Sequence, residues 1–319
     1  MAAPRVYPDR EIGGKPAERM VMKRVALVQH RRPPSALAFM ARAFLRSPRP
    51  PTEPQFPQLI ERWSVLRIGG AHEARFREAT GRDAECVLYP HVLGFRLQMA
   101  LLTHFAFPLP LWNALQIRNR LVSHRPLDRS ADYTFETSIG EHRAVEKGIE
   151  VDTHTRLATG DRCDWESVVT YFYRGRFGTA SPRAAQPASP DLSAAQMLAT
   201  FHTPKAGGWA FGGLTGDYNG IHTWPAYARR FGFKSAFMHS QRAVGLGLAH
   251  LGRPNREPGT LSLWIKGPVF YDTDVILSAA QQPNGVQFGL SLAGDPRHAI
   301  VGTWSAATSW TRRRQTCPD

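Results

Sequence analysis

Length, composition and charge set the first limits on this chain. Its 319 residues suffice for two domains of ordinary size, and 42% hydrophobic with 21% charged side chains is typical of a globular protein. No apolar run approaches the roughly 20 residues that a membrane-spanning helix needs, and the first residues lack the apolar stretch and cleavage site of a secretory signal.

The cysteines indicate a reducing compartment. Cys86, Cys163 and Cys317 are scattered along the chain, are odd in number and lack the spacing of metal ligands. Disulfide frameworks and zinc sites depend on such spacing, so we expect neither. The expectation that follows is a cytoplasmic protein without a metal.

The net charge of +14 suits an anionic partner. Basic residues crowd the first fifty positions and recur at Arg312–Arg314. Nucleic acid, a membrane surface, an acidic carrier protein and the phosphates of a nucleotide-like cofactor all fit this charge, as does a plain solvated surface. The sequence holds no helix-turn-helix, zinc-finger or aromatic RNA-binding signature, so no nucleic-acid partner is expected.

The first predicted helix lies near the N-terminus. Ala36–Leu45 is apolar and is flanked by Arg31, Arg32 and Arg46. This pattern predicts an amphipathic helix that lies either on its own domain or on a membrane surface, and docking on the domain is the favoured alternative. The role of the surrounding extension, residues 1–56, stays open.

A linker divides the remainder into two units of similar size. Gly178–Ser193 is rich in Pro, Ala and Ser and has no apolar periodicity, which is typical of linkers. The similar sizes of the units suggest a duplication. The expected organisation is a basic N-terminal extension (1–56), an N-terminal unit (57–177), a linker (178–192), a C-terminal unit (193–311) and a basic tail (312–319).

Each unit shows a long buried helix followed by strands. Apolar residues predict a helix at Val92–Leu102, and an apolar stripe from Ala243 to Leu251 predicts another in the second unit. The expected fold class is α+β, with two antiparallel sheets that each wrap a long central helix. Alternating patterns predict strands at Leu115–Val122, Tyr133–Ser138, Ile149–Ala158, Ser167–Tyr173, Thr260–Lys266, Asp274–Ala280, Gln287–Leu292 and Ala299–Ala306.

A loop in the second unit carries the candidate chemistry. Phe211–His222 reads FGGLTGDYNGIH and is rich in turn formers. Asn219 and Gly220 both tolerate a left-handed backbone, which allows Asp217 and His222 to fold back toward each other. The sequence therefore predicts a carboxylate and an imidazole at the two ends of one tight loop.

Two helices are predicted after this loop. Thr223 is the expected cap of a short helix with Pro225 in its first turn and Gly232 at its end. The second helix begins at His239–Ser240, where the first backbone N–H groups have no partner within the helix and the dipole favours negative charge. A carbonyl oxygen at those N–H groups would be stabilised as it becomes an enolate.

A base, an acid and an oxyanion site are the parts needed to add water next to a carbonyl. Taken singly, each part is a weak indication. An Asp followed by Asn-Gly is most often turn chemistry, and a lone His at a helix start usually caps the helix or lies on the surface. Taken alone, the Asp217–His222 pair is better explained as turn chemistry.

The full pattern resembles the hydratase motif of the MaoC-like, (R)-specific enoyl-thioester hydratases. The resemblance lies in Leu214–His222, then Ala228, Gly232–Phe233 and the His239 that opens the next helix. It implies the hotdog fold, in which a sheet wraps one long helix. Gly267–Phe270 resembles the strand that follows this helix in the family. The first half resembles the family's double-hotdog members, which pair an inactive N-terminal hotdog with an active C-terminal one, at Tyr89–Leu93, Ala100–Thr103, Phe107–Leu111 and His124–Leu127.

The resemblance implies a role for each motif residue. Asp217 and His222 would activate one water, deliver its hydroxyl to C3 and its proton to C2 of a trans-2-enoyl thioester, or run the reverse reaction. Gly216 and Asn219 would position the loop, and the backbone N–H of Ser240 would hold the thioester oxygen. The family uses no metal or redox cofactor, and its substrates are carried by coenzyme A or acyl carrier protein, which are acidic. One active site per chain is expected, in a monomeric pseudo-dimer or a homodimer.

Two positions depart from the family pattern. Gly220 stands where the family usually has Pro, and Ser240 stands where it usually has Gly. Ser240 keeps its N–H, but its side chain could crowd the thioester. These departures keep open a non-catalytic, acyl-binding subunit. A hotdog thioesterase is disfavoured, because such enzymes place a carboxylate on or near the long helix, and no acid follows Ser240 before Glu257.

Other conspicuous residues have structural explanations. Gly245 and Gly247 form a Gly-x-Gly without the strand and spacing of a phosphate loop, so they predict close helix packing. His91 and His250 are expected to be satisfied core or helix residues rather than ligands. Core packing is also the default for three tryptophans, one of which is a candidate for lining the acyl pocket: Trp209, Trp224 and Trp264.

Overall fold

The computed structural model describes residues 26–45, 49–81, 85–179, 187–251 and 258–307. Several sequence predictions fall outside these ranges. They concern the first 25 residues, Arg46, most of the linker, Glu257, the end of the C-terminal unit and the basic tail with Cys317.

Each half of the chain ends in four strands. In the first half, two strands with a helix between them precede the other helices, and in the second half one strand precedes the helices. The helices are α1 (Ala36–Leu45), α2 (Gly70–Thr80), α3 (Glu85–Leu102), α4 (Gly208–Thr215), α5 (Pro225–Arg230) and α6 (Ser240–Ala249). The strands are β1 (Ala26–His30), β2 (Leu59–Leu66), β3 (Ala114–Ser123), β4 (Tyr133–Val145), β5 (Gly148–Thr159), β6 (Arg162–Arg174), β7 (Gln196–His202), β8 (Gly259–Ile265), β9 (Asp274–Gln282), β10 (Gly285–Leu292) and β11 (His298–Ala306). Short 3₁₀ helices occupy Leu111–Asn113 and Gly220–His222.

One continuous sheet of eleven strands runs through both halves, in the order β1-β2-β4-β5-β6-β3-β8-β11-β10-β9-β7. Neighbouring strands are antiparallel except β1 and β2, which are parallel. The two sheets expected from the sequence are joined where β3 pairs with β8, from Arg118 opposite Trp264 to Ser123 opposite Gly259. This seam satisfies the backbone groups of two strands that would otherwise be exposed edges.

The strand order repeats about the seam. Outward from it, the first half presents β3, β6, β5, β4 and β2, and the second presents β8, β11, β10, β9 and β7. Strand β1 lies beyond β2 and has no counterpart in the described part of the second half. Strands at equal distance from the seam hold the same place in the chain order of their halves. The strand order therefore agrees with the duplication that the sequence suggested. The α+β fold class is confirmed.

The long buried helix of the first half is α3. It begins at Glu85 rather than at Val92 and contains Pro90. A proline removes one helical N–H donor, which is why the sequence pattern placed the start of the helix after it. Val92, Leu97 and other α3 side chains are fully buried against the sheet, and this burial offsets the cost of the interruption.

Helix α6 is shorter, and two glycines allow its close packing. A Cβ added at Gly245 would lie 2.4 Å from Cβ of Thr80 in α2, and one at Gly247 would lie 3.0 Å from Cδ2 of Leu290 in β10. The predicted role of this Gly-x-Gly in helix packing is confirmed.

Helix α1 docks on its own domain, as favoured from the sequence. Phe39 is fully buried and Ala43 is 2% exposed, whereas Leu37 and Leu45 on the outer face are exposed. Within the described ranges, no helix is long and apolar enough to cross a membrane.

The sequence did not predict β1, β2, β7, α2 or α4. In β2, Glu61 and Arg62 break the apolar pattern, but His30 of β1 binds Glu61 and Arg62 pairs with Glu136 of β4. These charges are compensated by partners distant in sequence, so local periodicity could not reveal the strand.

Candidate active site

The loop before the site turns at Gly216. Helix α4 ends there, with Gly216 in the left-handed region at φ 83°. The prediction of a left-handed backbone at Asn219 and Gly220 is wrong, since neither has a positive φ. Asn219 instead caps the 3₁₀ helix, because its Oδ1 accepts a hydrogen bond from the N–H of Ile221 at 3.2 Å.

The loop brings Asp217 and His222 together. Oδ2 of Asp217 lies 3.6 Å from Nε2 of His222. Nδ1 of His222 lies 2.9 Å from the carbonyl oxygen of Phe237. A carbonyl can only accept, so Nδ1 carries a proton and donates it, and Nε2 faces the carboxylate. The N–H of Asn219 donates to Oδ1 of Asp217 at 3.0 Å and fixes that side chain.

His239 supports this pair from the N-cap position of α6. Its Nε2 donates to the backbone oxygen of Asp217 at 3.0 Å, and its ring centroid lies 3.8 Å from that of His222. Burial is the main cause that lowers the pKa of His239, to about 3, and the neighbouring His222 adds to this effect. His239 is therefore neutral and holds the loop against the helix start.

The Asp217 carboxyl group is held in its ionised form. Burial alone would raise its pKa, but the interaction with His222, the neighbouring His239 and the N–H of Asn219 outweigh burial and lower the pKa. The side chain is 20% exposed and faces the cavity. The site thus contains a permanent hydrogen-bond acceptor next to an imidazole nitrogen.

The start of α6 lies in the same cavity, as the sequence predicted. Ser240 is the first helical residue, after His239 as N-cap. Its backbone N–H precedes the first helical turn and has no acceptor within the helix. Oγ of Ser240 donates to Oε1 of Gln116 at 3.1 Å, and Nε2 of Gln241 approaches the same oxygen at 3.5 Å.

Sequence reasoning missed Gln116. It lies on β3 in the first half, more than a hundred residues before Ser240, and only the pairing of β3 with β8 brings it to the site. A single glutamine in an alternating strand gives no sequence signal of such a role. The N-terminal half therefore supplies a polar group to the site.

A cavity of about 320 Å³ joins these groups. This volume is within the usual range for small-molecule sites. Its polar lining includes Asn219 besides Asp217, His222, His239 and Ser240. The apolar part of its lining comprises Phe39, Met40, Phe95, Met99, Leu111, Trp112, Ala114, Leu115, Ile117, Ile221, Phe233, Phe237, Met238, Ala243, Ile265, Pro268, Val269 and Ile300.

The tryptophan in the cavity is Trp112, which the sequence did not single out. Trp209 and Trp224 are 55% and 53% exposed, so the prediction that they are core residues is wrong. Trp209 contacts both Trp224 and Tyr218, with ring centroids 5.8 and 5.5 Å apart. Trp264 donates to the backbone oxygen of Pro187.

Two further details differ from the sequence prediction. The cap of α5 is Trp224 rather than Thr223, which belongs to the preceding 3₁₀ turn, while Pro225 does open the helix. His91 is fully buried, but neither ring nitrogen has a hydrogen-bond partner in the described part of the chain, so it is not a satisfied residue. Burial lowers its pKa to about 4.

Asp217, His222 and His239 also have the proximity of metal ligands, with donor atoms within 4.8 Å of one another. Nε2 of His239 already carries the proton that it donates to Asp217, so that nitrogen has no lone pair for a metal. The arrangement favours water and proton chemistry, and the expectation of a site without metal stays a prediction.

Comparison with solved structures identifies the fold. The crystal structure of HtdX from Mycobacterium tuberculosis aligns with a TM-score of 0.65 at 22% identity, covering 78% of this chain and 100% of that one. A MaoC-like dehydratase from Phytophthora capsici gives a TM-score of 0.65 at 19% identity, covering 80% and 97%. The chain has the double-hotdog fold of the MaoC-like dehydratases.

The amino-acid sequence of this chain is also similar to that of a known protein. The 3-hydroxyacyl-thioester dehydratase X of Mycobacterium tuberculosis (strain ATCC 25618 / H37Rv) is 27% identical over 226 residues, which are 68% of this chain and 79% of the relative. No family model matches the sequence. The resemblance predicted from the Leu214–His222 motif is confirmed, whereas the roles of the individual residues stay predictions.

Proposed function

We propose that this protein adds water to trans-2-enoyl thioesters and removes it from (R)-3-hydroxyacyl thioesters. The observation that carries this proposal is the 3.6 Å between Oδ2 of Asp217 and Nε2 of His222, in a cavity shared with the start of α6. This separation is longer than a direct hydrogen bond and lets both atoms bind one water. The similarity to a 3-hydroxyacyl-thioester dehydratase supports it.

In hydration, the two side chains divide the work on this water. Asp217 accepts a hydrogen bond from one O–H, while the lone pair on Nε2 of His222 takes the proton of the other. The hydroxyl adds to C3, and the electron pair moves through C2 to the thioester oxygen. The Asp217 carboxylate stabilises the imidazolium that forms, as in other carboxylate–histidine pairs.

The start of α6 receives the charge that develops on the thioester. The backbone N–H of Ser240 donates to the enolate oxygen, and the helix dipole adds to this stabilisation. The imidazolium of His222 then returns its proton to C2, so that one water has been added and both side chains are restored. Dehydration is the reverse sequence. Acid–base catalysis of this kind gives about 10²–10⁴-fold, and one oxyanion donor about 10²–10³-fold.

The carrier of the acyl group is acidic. Coenzyme A and acyl carrier protein both match the net charge of +14. The exposed Lys266 lies on the cavity wall and adds a positive charge there. The mechanism uses no metal or redox cofactor. The β3–β8 seam supplies within one chain the pairing of two hotdogs, which fits a monomeric pseudo-dimer and is compatible with a homodimer.

The N-terminal half has the role of a non-catalytic hotdog that completes the pocket. Its polar contribution is Gln116, and its other contributions to the cavity are mainly apolar. We place the enzyme in acyl metabolism of the cytoplasm. A thioesterase is a weaker alternative, because α6, which spans Ser240–Ala249, contains no carboxylate.

The test is a spectrophotometric assay with enoyl-CoA substrates. We expect the conjugated ultraviolet signal to disappear with the purified protein and to persist with Asp217→Asn and His222→Ala. The product is expected to be (R)-3-hydroxyacyl-CoA by chiral analysis. Release of free thiol without hydration would establish a thioesterase instead, and binding without any reaction would establish a non-catalytic subunit.

A further inference from the structure

The N-terminal extension reaches the cavity that contains Asp217 and His222. Phe39 and Met40, both on α1, line this cavity. We propose that α1 forms one wall of the acyl pocket and that Met40 limits the length of the acyl chain. This inference rests on the proposed function and names a specificity-determining residue for it.

The chemistry of the lining shows which walls of the cavity can hold the acyl chain. The charged carboxylate and the imidazoles come from the second half of the chain, near the start of α6. A thioester has its polar group at the reacting end and only methylenes beyond it, so the acyl chain packs on the apolar lining, which both halves of the chain supply. The side chains that α1, α3 and the following 3₁₀ helix supply are hydrophobic: Phe39, Met40, Phe95, Met99, Leu111 and Trp112.

Hydrogen bonds hold α1 at this position. The guanidinium of Arg96 on α3 donates to the backbone oxygen of Pro34 at 3.4 Å and to that of Gly213 on α4 at 3.0 Å. Nε1 of Trp112 donates to the backbone oxygen of Ala43 at 2.9 Å. One arginine thus ties the start of α1 to the helix that leads into the catalytic loop. The wall is therefore fixed relative to the reacting groups.

The two α1 side chains in the cavity differ in what they do. A Cβ added at Gly216 would lie only 2.9 Å from Cζ of Phe39, so the Phe39 ring packs directly against the residue before Asp217. Phe39 is fully buried and supports the loop. Met40 is partly exposed and has a flexible, unbranched side chain, so its size can change with less effect on folding. Position 40 is therefore the place to vary pocket length.

The experiment compares Met40→Trp and Met40→Ala with the full-length wild-type protein. Hydration is measured for enoyl-CoAs from crotonyl-CoA to hexadecenoyl-CoA, and affinity is measured by calorimetry for the saturated acyl-CoAs. The specificity ratio is kcat/KM for the longest chain that the wild type accepts, divided by kcat/KM for crotonyl-CoA. We expect Met40→Trp to lower this ratio by about 10-fold or more, since one methylene in an apolar pocket is worth about 10–200-fold. Met40→Ala should raise it.

Leu37→Ala is the matched control. Leu37 lies on the same helix, is 84% exposed and faces away from the cavity, so the control should keep the wild-type ratio. The inference is overturned if Met40→Trp lowers activity equally for all chain lengths, or if Leu37→Ala shifts the ratio as much. Saturated acyl-CoA binding that responds to the Met40 variants supports it even without hydration, in which case only the proposed function fails. Hydration with an unchanged ratio refutes the inference alone.

Discussion

Oγ of Ser240 donates a hydrogen bond of 3.1 Å to Oε1 of Gln116, across the seam between the two halves of the chain. The departure from the family pattern at Ser240 is thus accompanied by a partner that fixes the added hydroxyl. We expect Gln116 to act through Ser240, as a positioning residue. The first half of the chain therefore contributes a polar side chain to the site.

Removal of Gln116 is expected to disturb catalysis more than binding. In Gln116→Leu, the Ser240 hydroxyl loses its hydrogen bond of 3.1 Å and keeps only the contact of 3.4 Å with Oε1 of Gln241. A hydrogen bond of this kind is worth about 1 kcal/mol, or roughly 5-fold in rate. We expect kcat for enoyl-CoA hydration to fall by roughly 5- to 10-fold, with little change in KM. Gln282→Leu, at the exposed end of β9, is the control. A rise in KM at constant kcat would assign Gln116 to substrate binding instead.

The left-handed Gly216 yields a prediction about stability. Alanine at this position meets an unfavourable backbone, at about 1–2 kcal/mol. Its Cβ would also lie 2.9 Å from Cζ of Phe39 and 3.1 Å from Cγ of Arg96. Gly160→Ala isolates the first effect, because Gly160 also has a positive φ, of 58°, but has nothing within 4 Å of an added Cβ. We expect Gly216→Ala to lower the free energy of unfolding in urea by about 1–3 kcal/mol more than Gly160→Ala. Equal effects would show that neither Phe39 nor Arg96 packs tightly against the loop.

The separation of the site residues along the chain explains which features the sequence could predict. Asp217, His222 and Ser240 are close in sequence and obey local turn and helix rules, so their proximity could be predicted. Gln116 and α1 reach the site through pairing and packing of distant segments, which no local pattern encodes. The left-handed residue was placed wrongly because Asn219 had a competing use for its side chain, as a cap.

Acid should destabilise the protein through its buried histidines. Burial lowers the pKa of His91 from 6.5 to about 4. The unfolded chain therefore binds the proton first, so the stability contributed by neutral His91 is present above pH 6.5 and is lost as the pH falls toward 4. The free energy of unfolding in urea should fall as the pH is lowered from about 7 to about 5. We expect this fall to be about 2 kcal/mol smaller in His91→Leu than in the wild type. The same pH dependence in variant and wild type would contradict this assignment.

The most direct measurement is a double-variant cycle on the Asp217–His222 pair. Asp217→Asn and His222→Ala should each lower kcat/KM for enoyl-CoA hydration by about 10²–10⁴-fold, while Asp295→Asn on the far β10–β11 turn should have no effect. Because both side chains act on one water, the account predicts that the double variant is about as active as the weaker single variant. Losses that multiply in the double variant, or full activity in either single variant, would contradict it.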